Sequence, residues 1–171
     1  MQFLKSKRLM VLLVILASIL VFGVTTSLAQ EKVKVKHTSF GVLIKSERVK
    51  VDDGTEGHFL VLSEWKGVTS DGEFTRYGTS TGDLTKGNGP YHGYMKYVNK
   101  AGDTYITEYD GMLTTTKSPE GKPIASIKGK FSYFKGTGKF ENIQGSGTYK
   151  GHFIGRGIYI IDAEGEYVIK K

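Results

Sequence analysis

The chain has 171 residues, with 24 basic and 17 acidic side chains, 23 glycines, three prolines and no cysteine. That length allows one domain, or one domain plus a processed segment. The lack of cysteine excludes a disulfide-stapled scaffold, thiolate metal sites, iron–sulfur clusters, a thiol nucleophile and lipid attachment through cysteine.

Residues 1–29 read as a secretory signal peptide. Lys5, Lys7 and Arg8 form a positive start, Leu9–Val24 is a mostly apolar run of 16 residues, and Ser27 and Ala29 are the small residues a signal peptidase reads. Cleavage is predicted after Ala29, which makes the protein secreted or periplasmic. The competing reading is an anchor by an uncleaved N-terminal helix, but a span needs roughly 20 apolar residues. Without residues 1–29 the chain has 142 residues, 21 basic and 17 acidic, so the formal charge falls from +7 to +4. The remaining bases are scattered singly among acids, the pattern of a solvated mixed-charge surface. Neither a nucleic-acid partner nor a stable membrane span after processing is expected.

From Gln30 onward the pattern is alternation closed by turns. Runs rich in Val, Ile, Thr, Tyr and Phe occupy Lys32–Thr38, Gly41–Val51, His58–Val68, Phe74–Leu84, Gly89–Asn99, Thr104–Thr116, Pro123–Lys135, Gly145–Gly155 and Gly157–Lys170. A break at Ala163-Glu164-Gly165 would turn the last run into a hairpin. Turn signals separate the others, among them Asp52-Asp53-Gly54, Ser70-Asp71-Gly72 and Ser118-Pro119-Glu120-Gly121. With no helix to cover a sheet, eight to ten antiparallel strands must close on themselves or form a sandwich. Residues 30–171 hold 22 glycines, about twice average usage. Gly78, Gly93, Gly111, Gly129, Gly147 and Gly151 fall inside strand runs, where they permit the bulges and coiling of a small barrel. The expected fold is all-β, a single antiparallel up-and-down barrel of about eight strands over residues 30–171.

Alternation divides the faces. Phe59, Val61, Ser63 and Trp65 oppose His58, Leu60, Leu62, Glu64 and Lys66. Tyr105, Tyr109 and Leu113 oppose Ile106, Glu108, Asp110 and Met112. Ala125, Ile127, Phe131 and Tyr133 oppose Ser126, Lys128, Lys130 and Ser132, and Tyr149 and Phe153 oppose Lys150 and His152. Which face points inward depends on register, since a one-residue slip exchanges them.

Residues 135–150, KGTGKFENIQGSGTYK, carry the most distinctive pattern, together with Gly102-Asp103 and Tyr109-x-Gly111. This resembles small secreted bacterial proteins with the allene oxide cyclase-like barrel, a calycin-like architecture to which plant dirigent proteins are related. The resemblance spans about residues 57–155. It implies an antiparallel barrel around an apolar, sometimes polar-tipped cavity, in a group that includes a plant cyclase and dirigent proteins that steer the coupling of bound radicals. It carries over no catalytic set, because fold does not transmit function.

Local chemistry is sparse. His37, His58, His92 and His152 stand apart, so no metal site and no cofactor are expected. Gly136–Lys139 lacks the spacing and following helix of a phosphate loop. Lys128–Phe134 departs from the RNA-binding sheet motif. Gly145-Ser146-Gly147 is too short for a nucleophile elbow. Glu64, Arg76, Glu108 and Lys128 are charges among apolar strand positions, and an inward carboxylate there would mark a cavity.

The leading expectation is a non-enzymatic exported barrel binding a small hydrophobic or amphipathic ligand against Trp65, Arg76, Tyr105, Tyr109, Phe131, Tyr133, Tyr149 and Phe153. One alternative is a cyclase- or isomerase-like enzyme on the same barrel, with Glu64 or Glu108 as a buried carboxylate stabilising positive charge. Another is a structural envelope protein, assembling as a homo-oligomer through an exposed apolar face.

Overall fold

The computed structural model describes residues 31–170; the expected signal segment and its cleavage point lie outside the described residues. Eight strands follow in order: β1 (Val33–Lys50), β2 (His58–Thr69), β3 (Phe74–Thr85), β4 (Gly89–Asn99), β5 (Thr104–Lys117), β6 (Pro123–Gly136), β7 (Ile143–Gly155) and β8 (Ile158–Ile169). Each pairs antiparallel with the next, and β8 pairs back to β1, so the sheet closes into an up-and-down barrel. The expected fold class is the one the chain adopts.

Two segments depart from the sequence expectation. Lys32–Thr38 and Gly41–Val51 belong to one strand, because β1 follows β8 along its first half and β2 along its second, with a register shift between Leu43 and Lys45. The last run is not split at Ala163-Glu164-Gly165. Glu164 pairs with Lys36 on one side and Thr148 on the other, and two ladders hold the backbone extended.

Three bulges coil the sheet. They fall at Leu43/Lys45, opposite Ile106/Thr107 on β6, and at Phe153/Gly155. The extra residues, Ile44, Phe134 and Ile154, have no cross-strand partner and are 59%, 62% and 55% exposed. A large apolar side chain on the surface at these points follows from the bulge.

The strand glycines have a use the sequence reading did not assign. Gly78, Gly93, Gly111, Gly129, Gly147 and Gly151 are not the bulged residues; they share the inward face with the aromatics. A Cβ at Gly111 would lie 2.4 Å from the Tyr149 hydroxyl, and one at Gly147 would lie 2.5 Å from the Phe131 ring. Rings therefore lie over glycines of the adjacent strand, Phe131 over Gly147, Tyr91 over Gly111 and Tyr149 over Gly129, so that large residues pack beside small ones along the inner face.

The two ends of the barrel differ. At the end carrying the β2–β3, β4–β5 and β6–β7 connections, Met95, Tyr97, Tyr105, Tyr133, Phe140 and Ile143 form a buried cluster. Tyr97 and Tyr105 stack at 4.4 Å, and Phe74 meets Tyr105 edge-on at 5.3 Å. A single 3-10 turn, Gly138–Phe140, carries Phe140 beneath this cluster. Here the Lys-Gly-Thr-Gly-Lys-Phe pattern finds its physical reason. Gly138 has φ of +59°, and a Cβ there would overlap the Asp103 carboxyl; a Cβ at Gly136 would overlap the Phe140 carbonyl. Asp103 is itself held by Asn99, whose Oδ1 accepts from the Asp103 N–H at 2.8 Å. The Gly102-Asp103 turn and residues 135–140 thus build one closed floor.

Candidate functional site

Above that floor the interior opens into a cavity of about 500 Å3. Alternation on every strand supplies its walls. Trp65 comes from β2, Arg76 from β3, Tyr109 from β5, Phe131 from β6, and Tyr149 and Phe153 from β7. These six expected ligand-contacting residues are brought together. Tyr105 and Tyr133 are not part of the wall: both point inward, but one level lower, and they pack in the floor cluster. The closed end places them there, and sequence alternation carries no information on height.

Glu64 and Glu108 are outside the barrel. Glu64 is exposed and borders an outer groove with Lys66, Tyr77 and Lys96. The Glu108 carboxylate accepts a hydrogen bond from the Tyr94 hydroxyl at 2.9 Å and lies 3.6 Å from His92 Nε2, all on the outer surface. The buried carboxylate that the cyclase-like alternative needs is therefore found at neither Glu64 nor Glu108. The bulky neighbours Trp65 and Tyr109 take the inward face, and the pleat sends the glutamates out. Lys128 is likewise exposed.

Other lining residues went unassigned from sequence: Tyr91, Met95 and Tyr97 on β4, and Tyr159, Ile161 and Ala163 on β8. Their signal is the same period of two, legible in Tyr91-x-Gly93-x-Met95-x-Tyr97. Arg48 and Arg156 also border the cavity, near the β1–β2 and β7–β8 connections that form its mouth. At that end His58 is clamped between two carboxylates, with Nδ1 2.8 Å from Asp53 and Nε2 2.6 Å from Asp83. Hydrogen bonds to Asp83 and then Asp53 raise its pKa and tie the rim loop to β3.

The wall is apolar with polar tips. Trp65 Nε1 donates to Ser80 Oγ at 3.0 Å, and the Tyr149 hydroxyl donates to the Tyr91 hydroxyl at 2.8 Å. Burial pushes the Tyr91 hydroxyl up to about 12 and raises those of Tyr105, Tyr109, Tyr133 and Tyr149 as well. A phenol whose folded pKa lies above the unfolded value of about 10 favours folding fully below that pH. The contribution is lost as pH climbs through the folded values. In an alkaline titration these tyrosines are expected to ionise together with loss of the barrel circular dichroism. Stepwise tyrosinate absorbance near pH 10, with the barrel signal intact, would contradict their burial.

Arg76 is the exception among the polar tips. It is only 4% exposed, its guanidinium lies 5.0 Å from the Tyr97 ring centre, and its Nε and Nη1 have no hydrogen-bond partner among the described residues. His37, edge-on to the other side of this region through Tyr97 at 6.1 Å, has its pKa lowered by burial and by the Arg76 charge.

No family model and no curated protein sequence matches the chain. The solved structures that share its fold include two pterocarpan synthase dirigent proteins. One is 15% identical with a TM-score of 0.54, covering 83% of this chain and 93% of its own. The other is 12% identical with a TM-score of 0.53, covering 82% and 97%. At these identities the likeness is one of architecture, and the chain has a dirigent-like eight-stranded barrel.

Proposed function

We propose that this protein is an exported β-barrel that holds a small amphipathic molecule in its interior. The observation that carries the reading is the cavity: about 500 Å3, walled by Trp65, Tyr109, Phe131, Tyr149 and Phe153, with the floor closed and the mouth open. Cavities of roughly 300–1,000 Å3 with apolar walls and a few placed polar groups suit ligands of this size. Removal of the ligand's apolar surface from water, at about 25 cal/mol per Å2, is the driving force. Residues 1–29 support export, through their charge, apolar run and cleavage site. The glycine pattern of residues 135–150 supports a place in the allene oxide cyclase-like group. The two architectural neighbours carry the name of a small-molecule synthase, which supports a small-molecule role for the same barrel here. The buried-carboxylate route to cyclisation is not carried forward, since Glu64 and Glu108 face outward.

A second reading has its own observation. Phe40, Val42, Val68 and Ile158 are each more than 40% exposed, and cross-strand pairs join them across β8, β1 and β2. A contiguous apolar face of this kind suits contact between copies. Native mass spectrometry of the protein purified from its own envelope tests both readings. The expected spectrum shows a bound small molecule, and its mass also counts the copies. Trp65, the sole tryptophan, lines the cavity and reports occupancy directly. Titration with the neutral dye N-phenylnaphthylamine is expected to saturate at one per barrel with a change in Trp65 emission. No copurified mass together with no dye binding would sink the interior-binding reading.

A further inference from the structure

We propose that the interior site selects a carboxylate-bearing amphiphile, seated head-down with its carboxylate on Arg76 at the cavity floor and its apolar tail toward the mouth. This rests on the interior-binding reading above. Among the described residues, three arginines, Arg48, Arg76 and Arg156, and no acidic side chain line the cavity. Two of them stand exposed at the rim, but Arg76 is buried with two nitrogens unpartnered. A guanidinium remains charged at any ordinary pH. Burying such a charge without a partner is costly, and natural proteins almost always pair it. The Tyr97 ring supplies a cation–π contact but accepts no conventional hydrogen bond at its face. Burial keeps the neighbouring phenols of Tyr105, Tyr109 and Tyr159 protonated, so they bring no counter-charge at neutral pH. No side chain of the wall can neutralise Arg76, and the group that does so must enter from the mouth.

The shape of the cavity fixes the orientation. Arg76 pairs in register with Gly67 and Tyr97 near the closed end, and Leu84 on the same strand lines the upper wall. The intervening run along β3 is about 26 Å at 3.3 Å per residue. Strand tilt reduces this to a depth of roughly 20 Å. Between the two levels the wall is Trp65, Tyr109, Leu113, Ile127 and Phe131, which suits an apolar tail. A planar carboxylate takes two parallel N–H···O bonds from a guanidinium, each stronger than a neutral one. A head group held this way is desolvated, while the rim arginines act only through screened, exposed charge.

The test compares laurate with dodecanol, which share a tail and differ in charge, using Trp65 emission on the full-length barrel. The wild type is expected to bind laurate at least about tenfold more tightly than dodecanol. That ratio should persist when salt is raised, because the ion pair is buried. Arg76→Met is expected to bind the two equally, with urea resistance equal or greater, since an unpaired buried charge has been replaced by an apolar chain. Arg156→Met should keep the preference. Equal binding to the wild type overturns the proposal while leaving interior binding intact. So does a preference that salt abolishes or that survives Arg76→Met. If neither compound binds the wild type, the interior-binding reading fails and this inference with it. The wild-type ratio and its salt dependence decide the matter even if a variant does not fold.

Discussion

Phe140→Ala is expected to destabilise the barrel by about 3–5 kcal/mol, the range for truncating a buried aromatic. Phe140 is 4% exposed and touches Phe74, Tyr105 and Tyr167, with ring centres 5.9, 5.0 and 6.4 Å away. These partners come from β3, β5 and β8, so one side chain ties three parts of the wall to the turn that closes the end. Its loss leaves a void in a cluster of rigid rings that cannot collapse inward, because each ring already leans on another. Equilibrium urea unfolding, followed by circular dichroism, measures the effect. A loss below about 1 kcal/mol would show that the floor is not a packed unit.

Gly129→Ala is expected to cost about 3 kcal/mol or more through overpacking. A Cβ at this position would stand 2.0 Å from the Asp110 carbonyl and 2.5 Å from the Tyr149 hydroxyl. The first neighbour is backbone of the paired strand β5 and cannot rotate away. Accommodation requires β5 and β6 to separate or Tyr149 to leave the lumen, and either breaks its contact with Tyr91. Gly82→Ala is the matched control. It also faces the interior, but its Cβ would meet only Leu84 at 3.4 Å, an ordinary contact. Its change in stability should stay within about 1 kcal/mol. Similar unfolding midpoints for the two variants would refute the ring-over-glycine account of the lumen.

Alternation separates the two faces wherever a bulky residue alternates with polar ones, and the register of the closed sheet decides which of them is inside. Trp65, Tyr109, Phe131 and Tyr149 all point inward, opposite Glu64, Glu108, Lys130 and Lys150. The pleat enforces this division locally, so it needs no knowledge of neighbours. Height along the barrel axis was not legible. Tyr105 and Tyr109 share a face, yet one packs in the floor and the other in the cavity wall. The difference arises because β4–β5 and β6–β7 connections fold under one end only. The purpose of the glycines was only half legible. Their number marked a coiled, closed sheet, but which ring covers which glycine depends on the register of the pairing strand, which sets Tyr91 against Gly111 and Tyr149 against Gly129.

Sequence alone determined that the described chain is a meander of antiparallel strands with aromatic inner faces. It also singled out residues 135–150 as a backbone-driven element. Those properties are local: side-chain alternation, turn chemistry and glycine placement act over a few residues. Tertiary closure decided the rest. Joining β8 to β1 closed the lumen, the aromatic cluster made a floor at one end and left the other a mouth, and Arg76 was enclosed with no hydrogen-bond partner among the described residues for two of its nitrogens. The reason is that burial and pairing of a charge are sums over all eight strands, and no single segment carries them.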